Sequence, residues 1–301
     1  MVMEVILCSP RGFCAGVVRA IQVVEECLDR FGPPIYVKHQ IVHNPYVVGE
    51  LEAKGAITVE TVEEIPEGSR VVFSAHGSPP EDFEQAKDRN LQVIDAVCPL
   101  VTRVHNEAIK YHREGRRIIL VGHDGHQEVK GTMGQAPMEL VDENSDNGVP
   151  DWDEQTPVAV LTQTTLSTSD TAAAIDHIRE RFPQAEIRND ICYATTNRQA
   201  AVSRMATMVD MALVIGSQSS SNCNRLLELA LSLGIPAYLI NGPEELDPEW
   251  TAGVSRVGIA SGASTPEALV EAVIRALDPG KVTHLEVVDE DISFTMPREL
   301  R

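Results

Sequence analysis

The sequence predicts an α/β fold of three pseudo-equivalent small domains with mostly parallel sheets, around a central site. Two observations carry that prediction. Short apolar runs rich in β-branched residues alternate with helix-period segments along the whole chain, which is the pattern of parallel strand–helix units. The alternation itself recurs three times, each time with a cysteine between an apolar run and the helix after it. A chain of 301 residues is long enough for two or three separate cores.

The elements follow in order. EVILCS, from Glu4, reads as a buried strand, and VVRAIQVVEECLDRFG after it as an amphipathic helix stopped at Gly32. RVVFSAHG, from Arg70, is a strand, and PPEDFEQAKDRN a helix whose prolines suit a first turn. TRVHNEAIKYHREG is a helix ended by Gly115, and RIILVGHDGH and VAVLTQTT are the next strands. STSDTAAAIDHIRERF opens on a serine suited to an N-cap. TNRQAAVSRMATMVD, NRLLELALSLG and TPEALVEAVIRALDPG are helices, and MALVIGSQ and RVGIASGAS strands. DENSDNGVPDWDEQTP is a polar, turn-rich surface loop in the second unit.

The repeat is anchored on Cys14, Cys98 and Cys192. About 30 residues after each comes a polar loop holding His43, His126 or Asn222, and roughly 60–70 residues after each a second one holding His76, Thr164 or Ser264. The period exceeds that of solenoid repeats, so three domains are expected: residues 10–96, 97–190 and 191–281. Residues 1–9 are a candidate closing strand for the third, and the tail 282–301 a candidate strap between domains.

The formal charge is −20, from 25 Lys and Arg against 45 Asp and Glu. This argues against a nucleic-acid partner, which needs a basic face to neutralise phosphates. An anionic ligand must then be held by a local cluster against the overall field. The N-terminus lacks the basic segment and apolar length of a signal peptide. No stretch approaches the roughly 20 apolar residues that span a bilayer. The expected setting is cytoplasmic, without a membrane, where thiols stay reduced.

Ligands of open parallel sheets bind beyond the carboxyl ends of strands, where all these motifs fall. A helix N-terminus favours a thiolate there, and Gly12 and Gly16 would allow a tight turn around Cys14. One cysteine ahead of a helix is ordinarily a small core residue; three at matched positions point to a shared metal. Spacing leaves zinc and an iron–sulfur cluster both open. Cys8 and Cys27 do not repeat and read as core; Cys223, in the loop with Asn222, stays open. His43, His76 and His126 suit donation to phosphate oxygens, whereas His105, His112, His177 and His284 read as surface or packing residues. Glu128 lies in a glycine-rich loop, where burial would raise its pKa toward proton-donor range. Thr164, Thr165, Ser220, Ser221, Ser264 and the Asn222 amide suit hydrogen bonding to an alcohol or a diphosphate.

Together, GFCAGVVRAI, VHNPYVV, SAHGSP, DAVCPLVTRVH, GHDGHQEVKGTMGQ, TQTTLS, DICYATTNRQ, GSQSSSNCNRL, SGASTP and PRELR resemble the LytB/IspH family of the non-mevalonate isoprenoid pathway, over nearly the whole chain. The resemblance implies reductive dehydroxylation of 4-hydroxy-3-methylbut-2-enyl diphosphate to isopentenyl and dimethylallyl diphosphates. It implies one [4Fe–4S] cluster held by Cys14, Cys98 and Cys192, with one iron open to the substrate hydroxyl. It places His43, His76, His126, Ser220, Asn222 and Ser264 on the diphosphate and Thr164 on the alcohol, with Glu128 supplying protons. Ferredoxin or flavodoxin is the implied electron donor. Two other readings of three matched thiols are a zinc hydrolase and a non-catalytic redox sensor. Metal content separates zinc from iron, and turnover separates an enzyme from a sensor.

Overall fold

The computed structural model describes residues 3–142 and 148–301, so residues 143–147 of the predicted surface loop lie outside the described residues. In chain order, the first elements are β1 (Glu4–Ser9), α1 (Ala15–Phe31), β2 (Ile35–Lys38), α2 (Pro45–Ala53), β3 (Ala56–Val59), β4 (Arg70–Phe73), α3 (Pro80–Asp88) and β5 (Gln92–Asp95). Then come α4 (Pro99–Arg113), β6 (Arg117–Val121), α5 (Gln127–Met133), β7 (Met138–Val141), β8 (Val158–Thr162), α6 (Thr168–Arg181) and β9 (Glu186–Ile187). The last are α7 (Tyr193–Ala206), β10 (Met211–Ile215), α8 (Ser221–Ser232), β11 (Ala237–Ile240), α9 (Pro248–Thr251), β12 (Arg256–Ser261), α10 (Glu267–Leu277) and β13 (Lys281–Glu286).

Three sheets result, with strand orders β3-β2-β4-β5, β7-β6-β8-β9 and β11-β10-β12-β1-β13. Every strand pairing among the described residues is parallel. The orders match position by position: the fourth strand of each sheet is the one leading to a cysteine, β5 to Cys98, β9 to Cys192 and β1 to Cys14. The third sheet adds β13, drawn from the stretch read as tail. KVTHLE is polar at most positions and buries only Leu285, so as an edge strand it carries little apolar signal.

The chain divides into two compact units. One comprises Met1–Val17, His43–Val47 and Tyr193–Ser293 and contains the five-stranded sheet. The other comprises Val18–Val42, Val48–Cys192 and Phe294–Arg301 and contains both four-stranded sheets. Strands are apolar on both faces because helices cover both. In the five-stranded unit, Ile6 and Cys8 of β1 and Ala212 and Val214 of β10 enter one core with Val202, Met205 and Leu226. The alternate residues Val5, Leu7, Met211, Leu213 and Ile215 enter another with Val270 and Val273. The two-sheet unit repeats this at β6, whose Ile118 and Leu120 pack with Val104, Ala108 and Tyr111 of α4. Its Ile119 and Val121 pack instead with Ile178 and Phe182. Strand period two thus sorts one apolar run into two cores. Among the described residues, no helix is long and apolar enough to cross a membrane.

Candidate functional site

The predicted site residues follow the carboxyl ends of parallel strands, or open the helices there. Cys14 follows β1, His43 β2, His76 β4, Cys98 β5 and His126 β6; Thr164 follows β8, Cys192 β9, Ser220 β10 and Ser264 β12. Each of the three cysteines immediately precedes a helix: α1, α4 and α7. Each is also pinned by the same bond, its N–H donating to a carbonyl in a loop after the neighbouring strand. Cys14 donates to Ala263 at 3.1 Å, Cys98 to Ala75 at 3.0 Å and Cys192 to Thr164 at 3.0 Å. Gly12 turns the chain into Cys14 at φ +69°, a left-handed conformation suited to glycine, and its N–H donates to the Ser261 hydroxyl at 2.8 Å. Gly16 lies in the first turn of α1 and needs no such conformation.

The six cysteines fall into two groups. Cys14, Cys98 and Cys192 are half-buried, whereas Cys8, Cys27 and Cys223 are buried. Burial pushes Cys8 up to about 12, and Cys27 and Cys223 up to about 11. Cys8 and Cys223 pack into one apolar core of the five-stranded unit, and Cys27 is buried elsewhere. Burial also raises Cys14, but the N–H groups of Val17 and Gly16 and the Arg198 charge favour its thiolate. Among the described residues no three His, Cys, Asp or Glu side chains gather into a group that could hold a metal ion. Taken one by one, the three repeated thiols do fit a metal-ligand role: they are the half-buried ones, and each stands at a helix start on an anchored turn.

In the two-sheet unit the structure brings Glu128 and Thr164 together. The Thr164 N–H donates to Glu128 Oε1 at 2.6 Å, and the Thr164 hydroxyl donates to Oε2 at 2.9 Å. Glu128 is 3% exposed. Burial raises its pKa to about 7 and the Asp190 charge adds to this, while the two Thr164 bonds act in the opposite direction. His126 caps α5, its Nδ1 accepting from the Glu128 N–H at 3.2 Å. That leaves the ring proton of the neutral imidazole on Nε2. The His76 and His126 rings meet edge to face at 6.1 Å. The Thr165 hydroxyl accepts from the Gln163 amide at 2.9 Å.

In the five-stranded unit the Ser264 hydroxyl donates to the His43 carbonyl at 3.1 Å. Asn222 Oδ1 accepts from the Ala263 N–H at 3.1 Å. The Ser220 hydroxyl caps α8, accepting from the Cys223 N–H at 3.4 Å. Ser221 and Asn222, both buried, form the first turn of α8, where main-chain N–H groups lack helical partners. Asp190 is a lone acidic residue with no local signal: its N–H donates to the Thr162 hydroxyl at 2.8 Å and its carboxylate receives Arg103 at 3.2 Å. Arginines share in the repeat as well. GFCAGVVRAI, DAVCPLVTRVH and DICYATTNRQ each place one five or six residues after the cysteine, a repeat within the repeat.

Comparison with known proteins adds three findings. The chain matches the LytB protein family over residues 5–278. It is 48% identical over 310 residues to a 4-hydroxy-3-methylbut-2-enyl diphosphate reductase of Pseudomonas aeruginosa, covering 99% of each chain. It is 49% identical over 312 residues to the reductase of the same description from Ectopseudomonas mendocina, again covering 99% of each. Among solved structures, the E-1-hydroxy-2-methyl-but-2-enyl-4-diphosphate reductase of Plasmodium falciparum superposes with a TM-score of 0.95 at 37% identity, over 100% of this chain and 97% of that one. A second, described as the terminal enzyme of the non-mevalonate pathway, gives 0.67 at 35% identity, over 92% and 99%.

Proposed function

The chain belongs to the LytB protein family, and from that premise we propose that its reaction is the reductive dehydroxylation of 4-hydroxy-3-methylbut-2-enyl diphosphate. Two electrons and two protons enter, the C–O bond to the hydroxyl breaks, and water leaves with isopentenyl or dimethylallyl diphosphate. Cys14, Cys98 and Cys192 would hold one [4Fe–4S] cluster. The cluster, when bound, supplies the electrons and a Lewis-acidic iron for the substrate hydroxyl. The electron donor is a ferredoxin or flavodoxin, and the setting is the reducing cytoplasm, in keeping with six cysteines not joined by disulfides. Each sheet with its helices makes one domain, with boundaries near residues 97 and 191, a division supported by the repeated strand order.

The buried Glu128–Thr164 pair is the observation that carries this reading. Hydroxide is a poor leaving group, so its departure needs a proton. With a pKa near 7, Glu128 is partly protonated at neutral pH. With the carboxylate charged, the Thr164 hydroxyl donates to Oε2 at 2.9 Å; with Glu128 protonated the bond reverses, the carboxyl donates to the Thr164 oxygen, and the Thr164 hydroxyl turns to give its own proton to a substrate alcohol. Thr165 offers a second hydroxyl beside it. His126, with its proton on Nε2, and His76 act as donors to the diphosphate. His43, Ser264, Asn222, Ser220 and Ser221 supply further donors, with the N-terminus of α8 favouring an anion.

Purification without oxygen, followed by iron, sulfide and zinc analysis and a turnover assay with a reductant, tests the proposal. About four irons and four sulfides per chain, lost in Cys98→Ser, together with formation of both diphosphates, are expected. Zinc without sulfide, or full metal loading without turnover, would overturn it.

A further inference from the structure

Three arginines repeat one contact. Arg19 on α1 donates from Nη1 to the carbonyls of Ala96 at 3.1 Å and Val97 at 2.9 Å. Arg103 on α4 donates from Nη2 to Asp190 Oδ1 at 3.2 Å. Arg198 on α7 donates from Nη2 to the Gly12 carbonyl at 2.7 Å. Ala96, Asp190 and Gly12 each stand two residues before a cysteine: Cys98, Cys192 and Cys14. Each arginine is carried on the helix that follows one cysteine and grips the turn that leads into the next. The last, Arg198, returns to the first.

We propose that Arg19, Arg103 and Arg198 are positioning residues that set the three ligand turns, each fixing the cysteine that comes after its own in this cyclic chain order. The inference rests on the reading of these cysteines as cluster ligands. A guanidinium suits the task because its rigid fork reaches several acceptors at once. Arg19 also donates from Nε to the Thr295 carbonyl at 2.8 Å, so the same group ties the Cys98 turn to the chain's last segment. Arg198 binds the Ala194 carbonyl at 3.0 Å and Glu290 at 3.1 Å. It is 1% exposed, and its two Nη groups carry all of these bonds while its buried Nε makes none among the described residues.

Arg19→Lys, Arg103→Lys and Arg198→Lys keep the charge and remove the fork. Hydrogen exchange followed peptide by peptide on the anaerobically purified chain reads each turn separately, since all three cysteine N–H groups are hydrogen-bonded. We expect exchange about tenfold faster, the effect of one lost charge-assisted hydrogen bond, at residues 96–98 in Arg19→Lys, 190–192 in Arg103→Lys and 12–14 in Arg198→Lys. The other two turns should stay within about twofold in each variant. Loss of iron to a chelator should quicken in parallel. Arg103 is 52% exposed in its side chain, so its variant folds even if Arg198→Lys does not, and that arm decides alone. Faster exchange at the cysteine on the arginine's own helix, a uniform rise, or no change would overturn the proposal. Exchange reads the turns whether or not a cluster assembles, whereas iron and sulfide content tests the cluster, so the two failures are distinguishable.

Discussion

Helices α5 and α8 open in the same way, in the two-sheet and the five-stranded unit respectively. Each begins with a side-chain cap, His126 in one and Ser220 in the other. In each, the second helical residue reaches across and accepts the N–H two residues past the end of the second strand after its helix. Glu128 takes it from Thr164 after β8, and Asn222 from Ala263 after β12. One slot therefore holds a carboxyl and its counterpart holds an amide. Both hold their loop, but only the carboxyl can also carry a proton. Burial converts that difference into chemistry, because a group that must pay desolvation to ionise keeps its proton to near neutral pH. One geometry, copied, thus places a buried carboxyl in one unit and a neutral amide in the other.

Turning the acid slot into an amide should have the largest effect. Glu128→Gln keeps both contacts to Thr164 and removes the proton, so turnover should fall about a hundredfold or more with iron content unchanged. Near-normal turnover would break the comparison. Thr164→Val leaves the main-chain bond to Glu128 and deletes the hydroxyl. A loss of roughly tenfold to a hundredfold in kcat is expected, with the descending limb of the pH–rate profile moved upward, because one bond favouring the charged carboxylate is gone. Converting the amide slot into a carboxyl, Asn222→Asp, retains the acceptor for Ala263 and replaces a donor with a charge. KM for the diphosphate should rise about tenfold with a smaller change in kcat.

The smallest effect is on stability. Glu128 has its pKa raised from the ordinary 4.5 to about 7 by burial. Its contribution is therefore fully present below pH 4.5 and is lost as pH rises through about 7. Glu128→Gln removes that loss. Denaturant midpoints at pH 5 and pH 8 should lie closer together in the variant than in the parent, by an amount on the order of 2–3 kcal/mol in unfolding free energy. An unchanged gap would show that the carboxyl does not hold its proton in the folded chain.

Much of this was readable in the chain. Long periodic segments such as α1, α4 and α10 were evident, because their apolar stripes and glycine or proline ends are local signals. Short strands such as β9, with two residues, and the polar edge β13 were not, since they exist only by pairing. The matched offsets set His126 against Asn222. The helix starts align Glu128 with Asn222 and His126 with Ser220 instead: counted from Cys98 and Cys192, the first pair lies 30 residues on and the second 28, so equal offsets agree with the structure and the near-equal ones do not. The arginines went unnoticed for a related reason. Each is a single charged residue on a helix, and its meaning lies in an acceptor far along the chain.

By itself, then, the sequence determined the element types, the threefold repeat and the cysteine, histidine and hydroxyl positions. Local hydrophobic period, capping chemistry and recurrence at fixed spacing are properties of neighbouring residues and survive in one dimension. Only the tertiary structure decided that Cys223, beside Asn222 in the chain, is buried in a core. It also decided that Glu128 is buried on Thr164 enough to hold a proton near neutral pH, and which arginine holds which turn. Burial, desolvation and hydrogen bonds between distant segments arise only when strands and helices pack, so no local pattern encodes them.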